Sequence, residues 1–214
     1  GPKDREQLVI GQQPFAIILG CSDSRAPAEI LFDHGLGDLF VIRVAGNIVA
    51  PSQIGSIEFA AERFGTSLVV VLGHSKCGAI HATLEELAQP RENRSSNLRS
   101  IVKRISPAVE PLLQTDLRDN PDELMRKAVR ANVIASVENL QSGSPILTEL
   151  VEKDKLQIIG AEYSFESGLV DFYKDDIWKT KNWEIELRNR VNGRSVDDFI
   201  FKEIMINEII LSFI

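Results

Sequence analysis

Two cysteines, three histidines, two tryptophans and two tyrosines are all that the 214 residues offer of these four side-chain types. Two thiols cannot build a disulfide framework, and each stands beside another metal-capable group, so ligation is the better reading. Long apolar runs are missing as well: no stretch reaches the roughly eighteen uninterrupted residues a membrane helix needs, and the N-terminus lacks a basic segment followed by an apolar one. Nor is there a basic excess. A net charge of −7 and a sequence pI near 5.1 argue against a nucleic-acid surface as the main function. No internal repeat is evident. These absences lead us to expect a cytoplasmic protein, or a resident of an organelle or microcompartment lumen if an upstream targeting segment has been removed, with neither nucleic acid nor a membrane span.

What is present is the composition of an ordinary globular protein, 43% hydrophobic and 26% charged, long enough for one sizeable core. Two stretches organise it. Residues 17–25 read I-I-L-G-C-S-D-S-R and residues 72–78 read L-G-H-S-K-C-G. In each, an apolar run of the kind that forms a strand covered on both faces ends at a glycine and then presents metal-capable groups, Cys21 in the first and His74 with Cys77 in the second.

Between and after them the pattern alternates. Residues 15–19, 39–44 and 68–72 read as buried strands. Helical segments follow each: one from Pro27 through Phe32 to Gly35 or Gly37, one after Pro51 carrying Ile54, Ile57, Ala61 and Phe64 and stopped by Gly65, and one from Lys76 or Cys77 through Ile80, Leu84 and Leu87. This alternation predicts an α/β fold with a mostly parallel sheet flanked by helices, and open sheets of that kind place ligands beyond the carboxyl ends of their strands. A polar loop at 89–97 leads into further helices at 98–105, at 121–140 with Leu124, Ala128, Ala131, Ala135 and Val137 as its apolar stripe, and at 143–150. A late strand at 156–160 and a turn and extension to Phe172 complete a domain of residues 1–173. Residues 174–214 differ in character, holding both tryptophans and an apolar end at 199–214, and are expected to form a C-terminal extension packed on the domain or on a neighbouring subunit.

Cys21, His74 and Cys77 make a donor set of two sulfurs and one imidazole nitrogen, which suits Zn²⁺ and leaves a fourth position open. Taken singly, each residue also has a dull explanation, a packed thiol or a hydrogen-bonded ring. His34 and His81 are read as ordinary histidines. The C-x3-R spacing from Cys21 to Arg25 is too short for a phosphatase loop, and the plain reading of Asp23 and Arg25 is an ion pair that ties down a loop.

Three segments together, C-S-D-S-R at 21–25, G-D-L-F-V-I-R-V-A-G-N at 37–47 and G-H-S-K-C-G at 73–78, resemble the β-class carbonic anhydrases, and the similarity runs in order from about residue 12 to about 172, including G-A-E-Y-S-F-E-S-G-L-V-D-F at 160–172. The resemblance implies one zinc per chain held by Cys21, His74 and Cys77. It implies an Asp23–Arg25 catalytic pair in which the aspartate either binds the metal or swings to the arginine. The implied activity is a carbonic anhydrase, a zinc lyase that reversibly hydrates CO₂ to bicarbonate and a proton by zinc-bound hydroxide, and the implied assembly is a homodimer or higher homo-oligomer. It further implies that Gln12 donates a hydrogen bond to a substrate oxygen and that Phe40, Ala45, Phe59 and the backbone of Gly78 line a small apolar cleft. Phe59 stands where many relatives carry tyrosine. Ile18 occupies the place of a tryptophan that accompanies bicarbonate regulation in some relatives, so an unregulated form with Asp23 off the metal is expected at neutral pH. Residues 174–214 match nothing in the family pattern. Two alternatives stay open at this point: a CS₂ or COS hydrolase on the same fold, and a silent zinc scaffold that recruits a partner through the tail.

Overall fold

The computed structural model describes residue 6, residues 8–90 and residues 95–173. The extension at 174–214 lies outside the described residues.

Five strands form one sheet in the order β2-β1-β3-β4-β5: β1 (Ala16–Gly20), β2 (Leu39–Arg43), β3 (Leu68–His74), β4 (Gln157–Tyr163) and β5 (Val170–Phe172). All neighbours are parallel except β4 and β5, which pair as antiparallel strands. The helices are α1 (Ala28–Leu31), α2 (Pro51–Phe64), α3 (Gly78–Ala88), α4 (Ser96–Val109), α5 (Pro121–Ser142) and α6 (Pro145–Glu152). The expected α/β architecture, a mostly parallel sheet flanked by helices, is therefore the one observed.

The unbroken apolar runs are explained by burial on both faces. Every residue of β1 and of β3 is buried. Alternate side chains enter different cores, as the two-residue period of a strand demands. Ala16, Ile18, Val70 and Leu72 pack with α1 and with Phe172 of β5, whereas Ile17, Leu19, Val69 and Val71 pack against α2, α5 and α6. A third cluster joins Cys21, Ile48, Cys77, Ile80, Ile105 and Ala128 at the carboxyl end of the sheet.

Three elements differ from the sequence reading. Helix α1 spans only four residues, because Asp33 takes a positive φ of 50° soon after it and the chain turns before Gly35. Strand β3 runs two residues further than expected and ends on His74 itself, paired with Tyr163. On α5 the buried face does not centre on Ala131 and Ala135, which are half-buried; it runs through Val129, Asn132, Val133, Ser136 and Leu140, so that two polar residues lie inside.

Candidate metal centre

The chain leaves β1 for β2 on one side and then crosses to β3 on the other, so the carboxyl ends of β1 and β3 flank the point where strand order reverses. A crevice opens at such a point in an open parallel sheet. Cys21 follows β1 directly, His74 closes β3, and Cys77 precedes the first turn of α3. Gly20 and Leu72 are register partners, which sets the two chain segments side by side. The topology thus delivers three residues from two distant stretches to one place. Their ligand atoms all lie within 4.8 Å of one another, and all three residues are buried.

The geometry fits a metal. The Cys21 and Cys77 sulfurs are 4.0 Å apart, against roughly 3.8 Å for two sulfurs bound at about 2.3 Å to a tetrahedral ion. His74 Nδ1 donates to the Ser75 carbonyl at 2.9 Å, since a carbonyl can only accept. That fixes the tautomer and leaves the Nε2 lone pair free. Nε2 is buried and has no hydrogen-bond partner among the described residues, an arrangement that is costly unless the nitrogen is meant for a ligand.

Cys21 is driven below the thiol range by the hydrogen bond from Cys77, helped by His74 and the Gly46 amide, while Cys77 is pushed up by its bond to the Cys21 sulfur and by burial. A divalent ion bound here would hold both sulfurs as thiolates. Burial disfavours the charged form of His74, but the Cys21 sulfur and the Ser75 carbonyl outweigh it and raise its pKa.

Beside the trio, Arg25 grips Asp23 as a fork: Nε donates to Oδ1 at 2.9 Å and Nη2 to Oδ2 at 2.7 Å, and the Arg25 backbone amide adds a third bond at 3.0 Å. These bonds hold the Asp23 carboxyl well below the usual carboxylate range. Asp23 Oδ2 remains 3.9 Å from His74 Nε2, so the carboxylate sits at the edge of the ligand group while bound to the arginine.

The remaining site residues divide. Ala45 sits in a 3₁₀ turn (Ala45–Asn47) whose Gly46 amide donates to Cys21 Sγ at 3.3 Å, and Gly78 follows Cys77, so both border the metal end. Phe40 is the register partner of Ile17, four residues before Cys21 and about 13 Å away along a strand. It joins Phe59 and Phe64 in an aromatic cluster, with ring centroids 6.3 and 6.0 Å from its own, and Phe59 is 54% exposed. Gln12 is exposed on the segment leading into β1. The structure does not bring Gln12, Phe40 or Phe59 to the ligands of the same chain.

Several functional neighbours escaped the sequence reading. Arg43, at the end of β2, ties the loop after β1 by donating to the Cys21 carbonyl at 2.9 Å and the Asp23 carbonyl at 2.5 Å. Phe165 lies under Arg25 and beside His74. Asn132 and Ser136 hold the 45–47 turn from behind. A cation at a strand end is the one signal that could have found any of these, and it applies to Arg43 alone.

Comparison with known proteins agrees with this geometry. The carbonic anhydrase family model matches residues 16–170. Carbonic anhydrase 2 of Mycobacterium tuberculosis is 37% identical over 164 residues, covering 77% of this chain and 76% of that one. The solved β-carbonic anhydrase CafA of Aspergillus fumigatus is 25% identical with a TM-score of 0.71, covering 89% of this chain and 87% of that one. A solved chain of one of two tetrameric β-carbonic anhydrases from Sordaria macrospora shares the fold, with a TM-score of 0.68 at 24% identity over 80% of this chain and 86% of that one. A mostly parallel sheet with two cysteines and a histidine at its switch point defines an α/β protein with a metal centre. The chain belongs to the β-class carbonic anhydrases. Its cofactor is zinc, and Cys21, His74 and Cys77 are positioned to bind it.

Proposed function

We propose that Asp23 and Arg25 form the catalytic pair of a reversible hydration of CO₂ to bicarbonate and a proton, with Cys21, His74 and Cys77 as the metal ligands. The observation that carries this is the forked Asp23–Arg25 pair lying 3.9 Å from the orphaned nitrogen of a buried Cys₂His group. A purely structural zinc site has no need of such a pair. When bound, zinc lowers the pKa of water from 15.7 to about 7 and so supplies a nucleophile near neutral pH.

The chain's own residues do the rest. Arg25 keeps Asp23 ionised, so its carboxylate is always an acceptor. Oδ2 accepts the O–H of the attacking water and turns the oxygen lone pair toward CO₂, a task of orientation. Arg43 and the Arg25 amide fix the loop from which Asp23 acts. Ala45 and Gly78 leave small, uncharged surface at the metal end for an apolar substrate.

We further infer a homo-oligomer in a cytoplasmic setting. Among the described residues the sheet ends on one side at β2, where Phe59 is 54% exposed beside Phe40 and Phe64. A second copy is the partner that this apolar edge fits, and Gln12, Phe40 and Phe59 then serve substrate binding through the contact. Two free thiols suited to a metal favour a reducing compartment. The deciding experiment is stopped-flow CO₂ hydration by the full chain with and without a chelator and with Asp23→Asn. Rapid hydration lost on chelation and restored by zinc supports the reading; CO₂ hydration that is unaffected by both the chelator and Asp23→Asn overturns it.

A further inference from the structure

In the middle of the buried face of α5, between Val129, Val133 and Val137, lie two polar side chains, Asn132 at 2% exposure and Ser136 at 4%. Four residues apart on a helix, they face the same way. Asn132 Nδ2 donates to the Gly46 carbonyl at 2.8 Å, and Ser136 Oγ donates to the Asn47 carbonyl at 3.1 Å. They therefore hold two consecutive carbonyls of one turn. Both residues of that turn are left-handed: Gly46 at φ 70°, which glycine takes without strain, and Asn47 at φ 42°, a region uncommon for side chains other than glycine although asparagine enters it more readily than most. The turn is also wedged, because a Cβ at Gly46 would meet Ile105 Cδ1 at 2.8 Å and Ala79 Cβ at 3.2 Å. The product of this confinement is one amide direction. Gly46 N–H donates to Cys21 Sγ at 3.3 Å.

We propose that Asn132, seconded by Ser136, is a positioning residue for the ligand Cys21: it fixes the 45–47 turn so that the Gly46 amide stays aimed at the sulfur, and thereby sets how much charge that sulfur gives to the metal. An N–H bond to a ligating sulfur withdraws electron density from it. Groups that orient ligands from outside the coordination sphere commonly change metal affinity about 10–100-fold when removed. The inference rests on Cys21 being a metal ligand, as proposed above. Mere satisfaction of two buried carbonyls would also place polar groups here, but it would alter stability alone and leave the metal's electronic environment as it was.

The test uses the full-length chain with Asn132→Leu, which keeps size and removes the donor, and Ser136→Ala as the milder change. Zinc affinity is measured by chelator competition, and the cobalt-substituted proteins are compared by the energy of their sulfur-to-cobalt charge-transfer band, below each variant's unfolding transition. Asn132→Leu is expected to weaken zinc retention roughly 10–100-fold and to shift the band, with Ser136→Ala shifting it less in the same direction. Wild-type affinity and band position in Asn132→Leu overturn the proposal. Should that variant not fold, an unshifted band in Ser136→Ala overturns it. A wild-type protein that takes up neither zinc nor cobalt overturns the assignment of Cys21 itself, which separates the two failures.

Discussion

The Arg25 guanidinium carbon lies 4.1 Å from the centre of the Phe165 ring, and the same ring is 4.9 Å, centroid to centroid, from that of His74. Phe165 belongs to the turn between β4 and β5, and that turn holds the site twice over. Its backbone amide donates to Ser75 Oγ at 2.9 Å, and the next residue, Glu166, accepts from Ser75 Oγ at 2.8 Å and pairs with Lys76 at 2.8 Å. One hairpin thus braces both the arginine of the catalytic pair and the segment between His74 and Cys77.

From this follows a graded series. Asp23→Asn removes the anionic acceptor and is expected to lower kcat/KM roughly 10²–10⁴-fold with zinc retained. Arg25→Lys keeps the charge but loses the fork, and should fall between wild type and Asp23→Asn. Phe165→Leu removes the ring beneath Arg25 and beside His74 and should cost less than Arg25→Lys. Stopped-flow hydration with metal analysis ranks them; Arg25→Lys at full activity would break the series.

The pH profile separates Asp23 from other acids. Arg25's hydrogen bonds depress the Asp23 pKa in the folded chain. A depressed carboxylate contributes stability that is complete above its unfolded value and is lost only as pH falls through the folded one. Asp23 therefore stays ionised across any working pH, and kcat/KM between about pH 6 and 9 should keep its shape, lowered in height, in Asp23→Asn. An ionisation in that window that disappears with Asp23 is the contrary result.

Glu162 behaves in the opposite sense. Burial pushes its carboxyl up, although Tyr173 O–H donates to Oε2 at 3.2 Å. A raised acid favours folding below its unfolded pKa and loses that advantage as pH rises through the folded value. Glu162→Gln keeps the acceptor and removes the charge, so its melting temperature should gain on wild type as pH goes from about 5 to 8. Thermal unfolding at the two pH values decides it; parallel curves would refute it.

Two glycines press on one valine. A Cβ at Gly73 would come within 2.5 Å of Val133 Cγ2, and one at Gly160 within 2.9 Å of Val133 Cγ1. Gly73→Ala should destabilise the chain by about 1–3 kcal/mol through overpacking. Val133→Ala in the same chain should recover part of that loss, giving a non-additive cycle in denaturant unfolding. Strict additivity would show that the strain goes elsewhere.

Much of this was legible in the sequence because scarce residues stand at informative places. Cys21 and His74 sit one step beyond Gly20 and Gly73, at the ends of runs too apolar for anything but covered strands, and that alone located the metal end. What could not be read were partners distant in the chain. Asn132 and Ser136 bond carbonyls 86 and 89 residues away, so on periodicity they looked like the polar side of a helix whose stripe ran through Ala131 and Ala135. Phe40 and Phe59 were assigned to a cleft only through the family resemblance, and strand register puts Phe40 level with Ile17 rather than with Cys21.

The pairing of β1 directly with β3 has a kinetic consequence. The ion's docking place exists only after two segments about fifty positions apart in the chain have come together across a crossover, so the metal cannot nucleate collapse as it does in a small zinc finger. During refolding, capture should proceed at a rate set by strand assembly and indifferent to how much free zinc is supplied.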